Sequence, residues 1–140
     1  MTKVAIGFKS MKGTDDNNIT GDFNTAFGSG TLELIISGQK NTAIGSNAMK
    51  NNVGGSQNTI IGYNSGNNIS TGGDNNTAIG SSSLYNNIIG NENVALGGSS
   101  LYTNKSNYNT AIGYNSLYSL NSSKNIGIGW KAGDGITSGS

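Results

Sequence analysis

Side chains able to do acid–base or nucleophilic chemistry are sparse in this chain. It has neither histidine nor cysteine. Its carboxylates are Asp15, Asp16, Asp22, Glu33, Asp74, Glu92 and Asp134. A general acid–base pair needs two groups held close together in a pocket with separated pKa values, and only Asp15 and Asp16 are adjacent, in a stretch typical of a loop. The sequence therefore predicts that the protein is not an enzyme and carries no cofactor.

Gly72-Gly73-Asp74 is the segment most similar to a metal site, because calcium-binding β-rolls place aspartates at glycine-rich corners of successive coils. The neighbouring corners of this chain carry Gln57, Glu92 and Tyr108 instead. A single aspartate with no stacked partners does not make such a site. We therefore predict no metal site.

The aromatic side chains are better candidates for binding than the carboxylates. They occupy two repeated positions, five residues after a recurrent glycine or directly after one. Aromatic faces pack well on sugar rings and anchor protein interfaces, so these residues are predicted receptor or glycan contacts. The alternative is that they stack on one another or fill a seam between chains. The candidate contact residues are Tyr63, Tyr85, Tyr102, Tyr114, Tyr118 and Trp130.

The recurrent glycine closes a phrase that organises the whole chain, Asn41-Thr42-Ala43-Ile44-Gly45. Clear copies end at Gly62, Gly80, Gly97 and Gly113, and looser copies end at Gly7, Gly28 and Gly129. The glycines follow one another at intervals of 16 to 21 residues. Self-similarity at such a short, steady period predicts a solenoid.

Three positions of the phrase recur with little change. A large apolar residue precedes the glycine in every copy and is the predicted structural core: Ile6, Phe27, Ile44, Ile61, Ile79, Leu96, Ile112 and Ile128. A small residue precedes that one, and a β-branched residue comes before it, which favours a strand. An asparagine opens seven copies and is predicted to form a ladder of stacked amides: Asn24, Asn41, Asn58, Asn76, Asn93, Asn109 and Asn125.

The predicted fold is all-β, a parallel β-solenoid of about eight coils of 16 to 18 residues. A second short strand is expected after each glycine, as at Ser83-Leu84-Tyr85, and a longer one at Thr31-Leu32-Glu33-Leu34-Ile35-Ile36. Residues 1–133 would form the repeat domain, with a longer corner loop at 8–23, and residues 134–140 a flexible tail. Which face of the strand lies inside the coil stays open at this point.

Composition excludes several partner classes. Charged residues make up 11% of the chain and the net charge is +1, which gives no reason to propose nucleic acid as a partner. No apolar run approaches the ~20 residues of a membrane helix, and no signal-peptide core is visible at the N-terminus. We expect no membrane insertion.

The phrase Asn-Thr-Ala-Ile-Gly, followed by a small–apolar pair and a Gly/Asn corner, resembles the head repeats of YadA-like trimeric autotransporter adhesins. It is also similar to related repeats of phage and giant-virus tail-fibre proteins. The resemblance covers residues 3 to about 133. It implies a left-handed β-roll, a homotrimer of intertwined or side-by-side chains, and a place on an extracellular surface or a virion.

The predicted function is therefore a structural or adhesive fibre or head segment that presents a rigid trimer to a host glycan or protein receptor. The alternative is a filament subunit that stacks end to end through uncapped coils. A third possibility is an ice-binding solenoid, because Thr25, Thr42, Thr59, Thr77 and Thr110 stand in one file. Val94 and Ile126 interrupt that file.

Overall fold

The structure is a computed structural model that describes residues 2–14 and 18–136. It contains only strands, turns and bends in these ranges. Asp15, Asp16 and the last four residues of the predicted tail lie outside the described residues. The predicted parallel β-solenoid is confirmed.

Eleven short strands follow one another along the chain. They are β1 (Lys3–Ile6), β2 (Asn24–Phe27), β3 (Thr42–Ile44), β4 (Thr59–Ile61), β5 (Thr77–Ile79), β6 (Asn86–Asn87), β7 (Val94–Leu96), β8 (Thr103–Asn104), β9 (Thr110–Ile112), β10 (Ser119–Leu120) and β11 (Ile126–Ile128). Eight of them form one parallel sheet in the order β1-β2-β3-β4-β5-β7-β9-β11, and β10-β8-β6 form a second. Each strand of the larger sheet belongs to one coil, so the strands stack through seven turns of the solenoid.

The closing glycines bend the chain at the end of each strand of the larger sheet. Their φ angles lie between 124° and 139°, a region that residues with a side chain rarely adopt. An added Cβ atom at Gly45 would lie 2.5 Å from the carbonyl oxygen of Gly62 in the next coil. The recurrent glycine is therefore required both by its backbone angle and by the close approach of the next coil.

The prediction of a second strand directly after each glycine is wrong. Ser83, Leu84 and Tyr85 lie in a turn, and the run from Thr31 to Ile36 also forms turns and a bend. The cause is backbone handedness: Leu84, Leu101 and Leu117 have φ angles of 53°, 46° and 47°. Left-handed residues interrupt an extended strand, so the second sheet begins only after the tyrosines.

The predicted core is wrong for the single chain, because the residues before the glycines point outward. Strand residues alternate between the two faces, and from the second coil onward the residue before each of them is buried instead, whereas Ala5 in β1 is exposed. The inner file from the larger sheet is Ala26, Ala43, Ile60, Ala78, Ala95 and Ala111. Leucine and methionine from the opposite wall complete the core: Leu32, Met49, Leu84, Leu101 and Leu117. Small residues on one wall leave room for large ones on the other.

Candidate functional site

The asparagines that open the phrases form a ladder inside the coil. Each of the later six donates its backbone N–H to the side-chain oxygen of the asparagine one coil earlier. Asn58, for example, donates its N–H and its Nδ2 to Asn41 Oδ1 over 3.0 and 3.1 Å, and Nδ2 also reaches the carbonyl oxygen of Gly73. The first six are fully buried and Asn125 is half-buried. The ladder is structural, since the side-chain oxygen and nitrogen of each of the six buried asparagines are already hydrogen-bonded within the stack of coils.

Asp74 takes part in another ladder, at the corner of the coil. Its Oδ1 accepts the backbone N–H of Ser56 over 2.7 Å, and its own N–H donates to Asn91 Oδ1 over 2.7 Å. Asn91 in turn donates its N–H to Asn107. The carboxylate replaces an amide in a column of hydrogen-bond acceptors, and no group of three or more His, Cys, Asp or Glu side chains that could hold a metal occurs in the described ranges.

Glu33 lies between two lysines of neighbouring coils. Its carboxylate oxygens are 3.7 Å from Lys9 Nζ and 3.5 Å from Lys50 Nζ. This side chain is largely buried and both ammonium groups are partly exposed. The arrangement neutralises a charge along the rod.

Tyr85, Tyr102 and Tyr118 stack on one another along the rod. Their ring centroids are 5.0 and 4.9 Å apart and the planes differ by 5° and 6°. Burial raises the pKa of Tyr102, and its two tyrosine neighbours raise it further. The facing sides of the three rings are therefore occupied, and a ligand would meet edges and hydroxyl groups in this column. These three tyrosines therefore stack on one another, as the alternative in the sequence analysis predicts.

Tyr63, Tyr114 and Trp130 occupy a different part of the coil, directly after the bending glycines, where they are highly exposed. Residues at this position are in register, because the carbonyl of each accepts an N–H from the next coil, as Tyr63 does from Ser82. We call this column the glycine-flanking file: Phe8, Ser29, Ser46, Tyr63, Ser81, Gly98, Tyr114 and Trp130. The sequence prediction missed Phe8, which its place one residue after Gly7 identifies.

The outward side of the larger sheet is a flat face with two files of side chains. One file is β-branched: Val4, Thr25, Thr42, Thr59, Thr77, Val94, Thr110 and Ile126. The other is the predicted core: Ile6, Phe27, Ile44, Ile61, Ile79, Leu96, Ile112 and Ile128. We call these residues together the outer face. None is charged, and even the central Ile44 and Ile79 are 37% and 43% exposed.

Comparisons of the chain with the models of known protein families, with curated proteins and with solved structures found no match. Within residues 2–14 and 18–136, no helix has the length and hydrophobicity that crossing a membrane requires.

Proposed function

We propose that this chain is a structural and adhesive segment of a fibre or head on a cell surface or virion, acting as a homotrimer of parallel β-solenoids. The observation that carries the proposal is the outer face. Most of its apolar residues remain exposed, and Ile61, Val94 and Leu96 half-buried, although the coil interior is already filled by alanines and leucines. A continuous apolar surface of this kind marks an interaction site.

The shape and chemistry of the outer face favour a second copy of the same chain as its occupant. Eight strands spaced by about 4.8 Å give a flat strip roughly 34 Å long, without a charge to select an acidic or basic partner. An identical rod offers a strip of the same length and spacing. The resemblance of the repeats to trimeric adhesin heads favours three copies about one axis.

The experiment that tests the proposal replaces Ile79, in the middle of the outer face, by aspartate. Burial of an unpaired carboxylate between chains costs several kcal/mol, so the variant should be monomeric, whereas the partly exposed side chain is not needed for the coil itself. Native mass and circular dichroism should be measured on the same samples. Glu92→Gln, an exposed charge outside the outer face, is the control and should assemble normally. Normal assembly of Ile79→Asp would contradict the proposal.

A second candidate function is end-to-end assembly into a filament. One observation favours it: among the described residues, no strand pairs with the outer edge of β1 or β11. Unpaired strand edges add further strands readily. This candidate predicts oligomers whose mass increases with protein concentration. Ile79→Asp should leave this concentration dependence unchanged.

A further inference from the structure

The glycine-flanking file has a pattern longer than the single repeat. Aromatic residues stand in the first, fourth and seventh coils, as Phe8, Tyr63 and Tyr114, and Trp130 follows in the eighth coil. Two small residues separate each pair, Ser29 and Ser46 in the first gap and Ser81 and Gly98 in the second. With about 4.8 Å per coil, the aromatic positions recur every 14 Å or so.

The rings of this file differ from the stacked tyrosines in their accessibility. Tyr63 and Tyr114 are 58% and 56% exposed, and Phe8 is 74% exposed. The small residues of the two gaps leave much of each ring exposed, whereas Lys9 Nζ lies 5.5 Å from the centroid of the Phe8 ring and Trp130 follows Tyr114 in the file. Exposed serine hydroxyls lie between the rings.

In the second gap, between Tyr63 and Tyr114, one of the two small residues lies close to a tyrosine ring. A Cβ atom on Gly98 would lie 3.3 Å from Cδ2 of Tyr114, which means that the Tyr114 ring leans over the glycine. Ser81 and Tyr63 continue the file on the other side of the gap. The result is a shallow notch with an aromatic ring at each end and small residues between them.

We propose that the glycine-flanking file binds a linear, neutral oligosaccharide that lies along the rod, with sugar rings packed on Phe8, Tyr63 and Tyr114. This inference rests on the proposed adhesive function and assigns its ligand class and site. Aromatic faces contact the C–H faces of sugars, and the serines between them offer hydrogen bonds to sugar hydroxyls. The residues in the gaps are uncharged, and Lys9 Nζ, which lies 5.5 Å from the Phe8 ring centroid, is paired with Glu33 over 3.7 Å, so the site favours a neutral sugar over an acidic one.

A neighbouring copy fills these gaps poorly. In a trimer with its threefold axis along the rod, equivalent residues lie at the same height. If the file faced that axis, rings would meet rings and gaps would meet gaps, which leaves the notches empty. An extended polymer that runs parallel to the rod contacts rings and serines alike.

The test is titration calorimetry of the whole chain with cello-, chito- and malto-oligosaccharides of four to six units. We expect saturable binding of at least one of them. Tyr63→Ser and Tyr114→Ser introduce the small residue that the file itself uses elsewhere, and each should weaken binding by about threefold to tenfold. Ser81→Leu should block the notch while both rings remain.

The matched control is Tyr108→Asn, which removes an exposed tyrosine outside the file and keeps a residue tolerant of its left-handed backbone. Native mass on each sample separates the two proposals: loss of binding with normal assembly concerns this site alone, whereas loss of assembly concerns the trimer. Absence of wild-type binding to all three oligosaccharide types, or wild-type affinity in the Tyr63→Ser/Tyr114→Ser double variant, would overturn the inference.

Discussion

Gly97 and Gly113 approach each other so closely in successive coils that a Cβ atom on Gly97 would lie 2.6 Å from the carbonyl oxygen of Gly113. The φ angle of Gly97 is 130°, which adds backbone strain for any other residue. Steric clash and backbone strain therefore both disfavour a side chain at Gly97, and a matched pair of variants can separate the two effects.

We predict that Gly97→Ala lowers the free energy of unfolding by more than about 4 kcal/mol, because clash and strain act together. Gly129 has a φ angle of 124° but no atom within 4 Å of an added Cβ. Gly129→Ala should therefore cost only the strain, about 1–3 kcal/mol. Denaturant unfolding monitored by circular dichroism measures the stability of both variants. Equal losses of stability would show that the close contact with the next coil adds no cost.

The asparagine ladder makes a second prediction, at Asn76. Its Nδ2 donates to Asn58 Oδ1 and to the carbonyl oxygen of Gly90, and its Oδ1 accepts from Asn93. Asn76→Ala leaves the buried backbone N–H of Asn93 without its acceptor and removes one hydrogen bond from each of the other partners. We therefore expect a loss of about 2–4 kcal/mol in the free energy of unfolding.

The half-buried end member of the ladder is the control for that variant. Asn125→Ala should be milder, because this asparagine is half-buried and, among the described residues, no N–H of a later coil donates to its Oδ1. Thermal melts of both variants measure the difference. A larger loss at Asn125 than at Asn76 would contradict the structural role given to the ladder interior.

The sequence predicted the register of the solenoid but not the inward face of its strands. Alternation shows that Ala43 and Ile44 point to opposite sides and does not say which side is enclosed. Size alone predicts that the larger residue is the core, yet the opposite wall of the coil already supplies Leu84 and Met49. The alternation contained a signal: Asn41 and Ala43 lie on the same side of the strand, and an amide–small pair that recurs in most copies suits a crowded interior.

The turn conformation after each glycine was beyond prediction for another reason. Leucine at a φ angle near 50° is disfavoured by its own propensity, and Leu101 adopts it only because the stacked coils place its side chain in the core. Tertiary packing overrides local preference there. For Tyr102 the sequence allows two alternatives, contact with a ligand or stacking on its neighbours. The gap between Tyr63 and Tyr114 follows from the register of the coils, which the structure supplies.

Left-handed backbone at an exposed corner leads to a third prediction. Gln57 is exposed and has a φ angle of 61°. A β-branched side chain is strongly disfavoured there, so Gln57→Val should lower the free energy of unfolding by about 1–2 kcal/mol. Gln57→Asn should be neutral or slightly stabilising, because asparagine tolerates this conformation. Urea unfolding compares the two, and equal stabilities would argue against the corner geometry.

The tyrosine stack predicts a loss of stability in alkali. Burial, Tyr118 and Tyr85 raise the pKa of Tyr102 in the folded chain, while the unfolded chain keeps the ordinary value near 10. Above about pH 10 the unfolded chain therefore releases this proton more readily, and stability falls as the pH rises. Below that pH Tyr102 is protonated in both the folded and the unfolded chain, so it makes no pH-dependent contribution to stability.

Urea midpoints at about pH 9 and about pH 11 measure this effect. Tyr102→Phe keeps the stack and lacks the titrating hydroxyl, so its midpoint should fall less between the two pH values. An equal fall in the variant and the wild type would show that Tyr102 does not contribute.

The most direct test of the proposed assembly is the native mass of the wild-type chain by light scattering over a dilution series. We predict a single mass of three times 14.3 kDa that dilution does not change. A mass that grows with concentration would favour end-to-end stacking instead. A monomer at every concentration would contradict the account, because the outer face would then have no partner among copies of this chain.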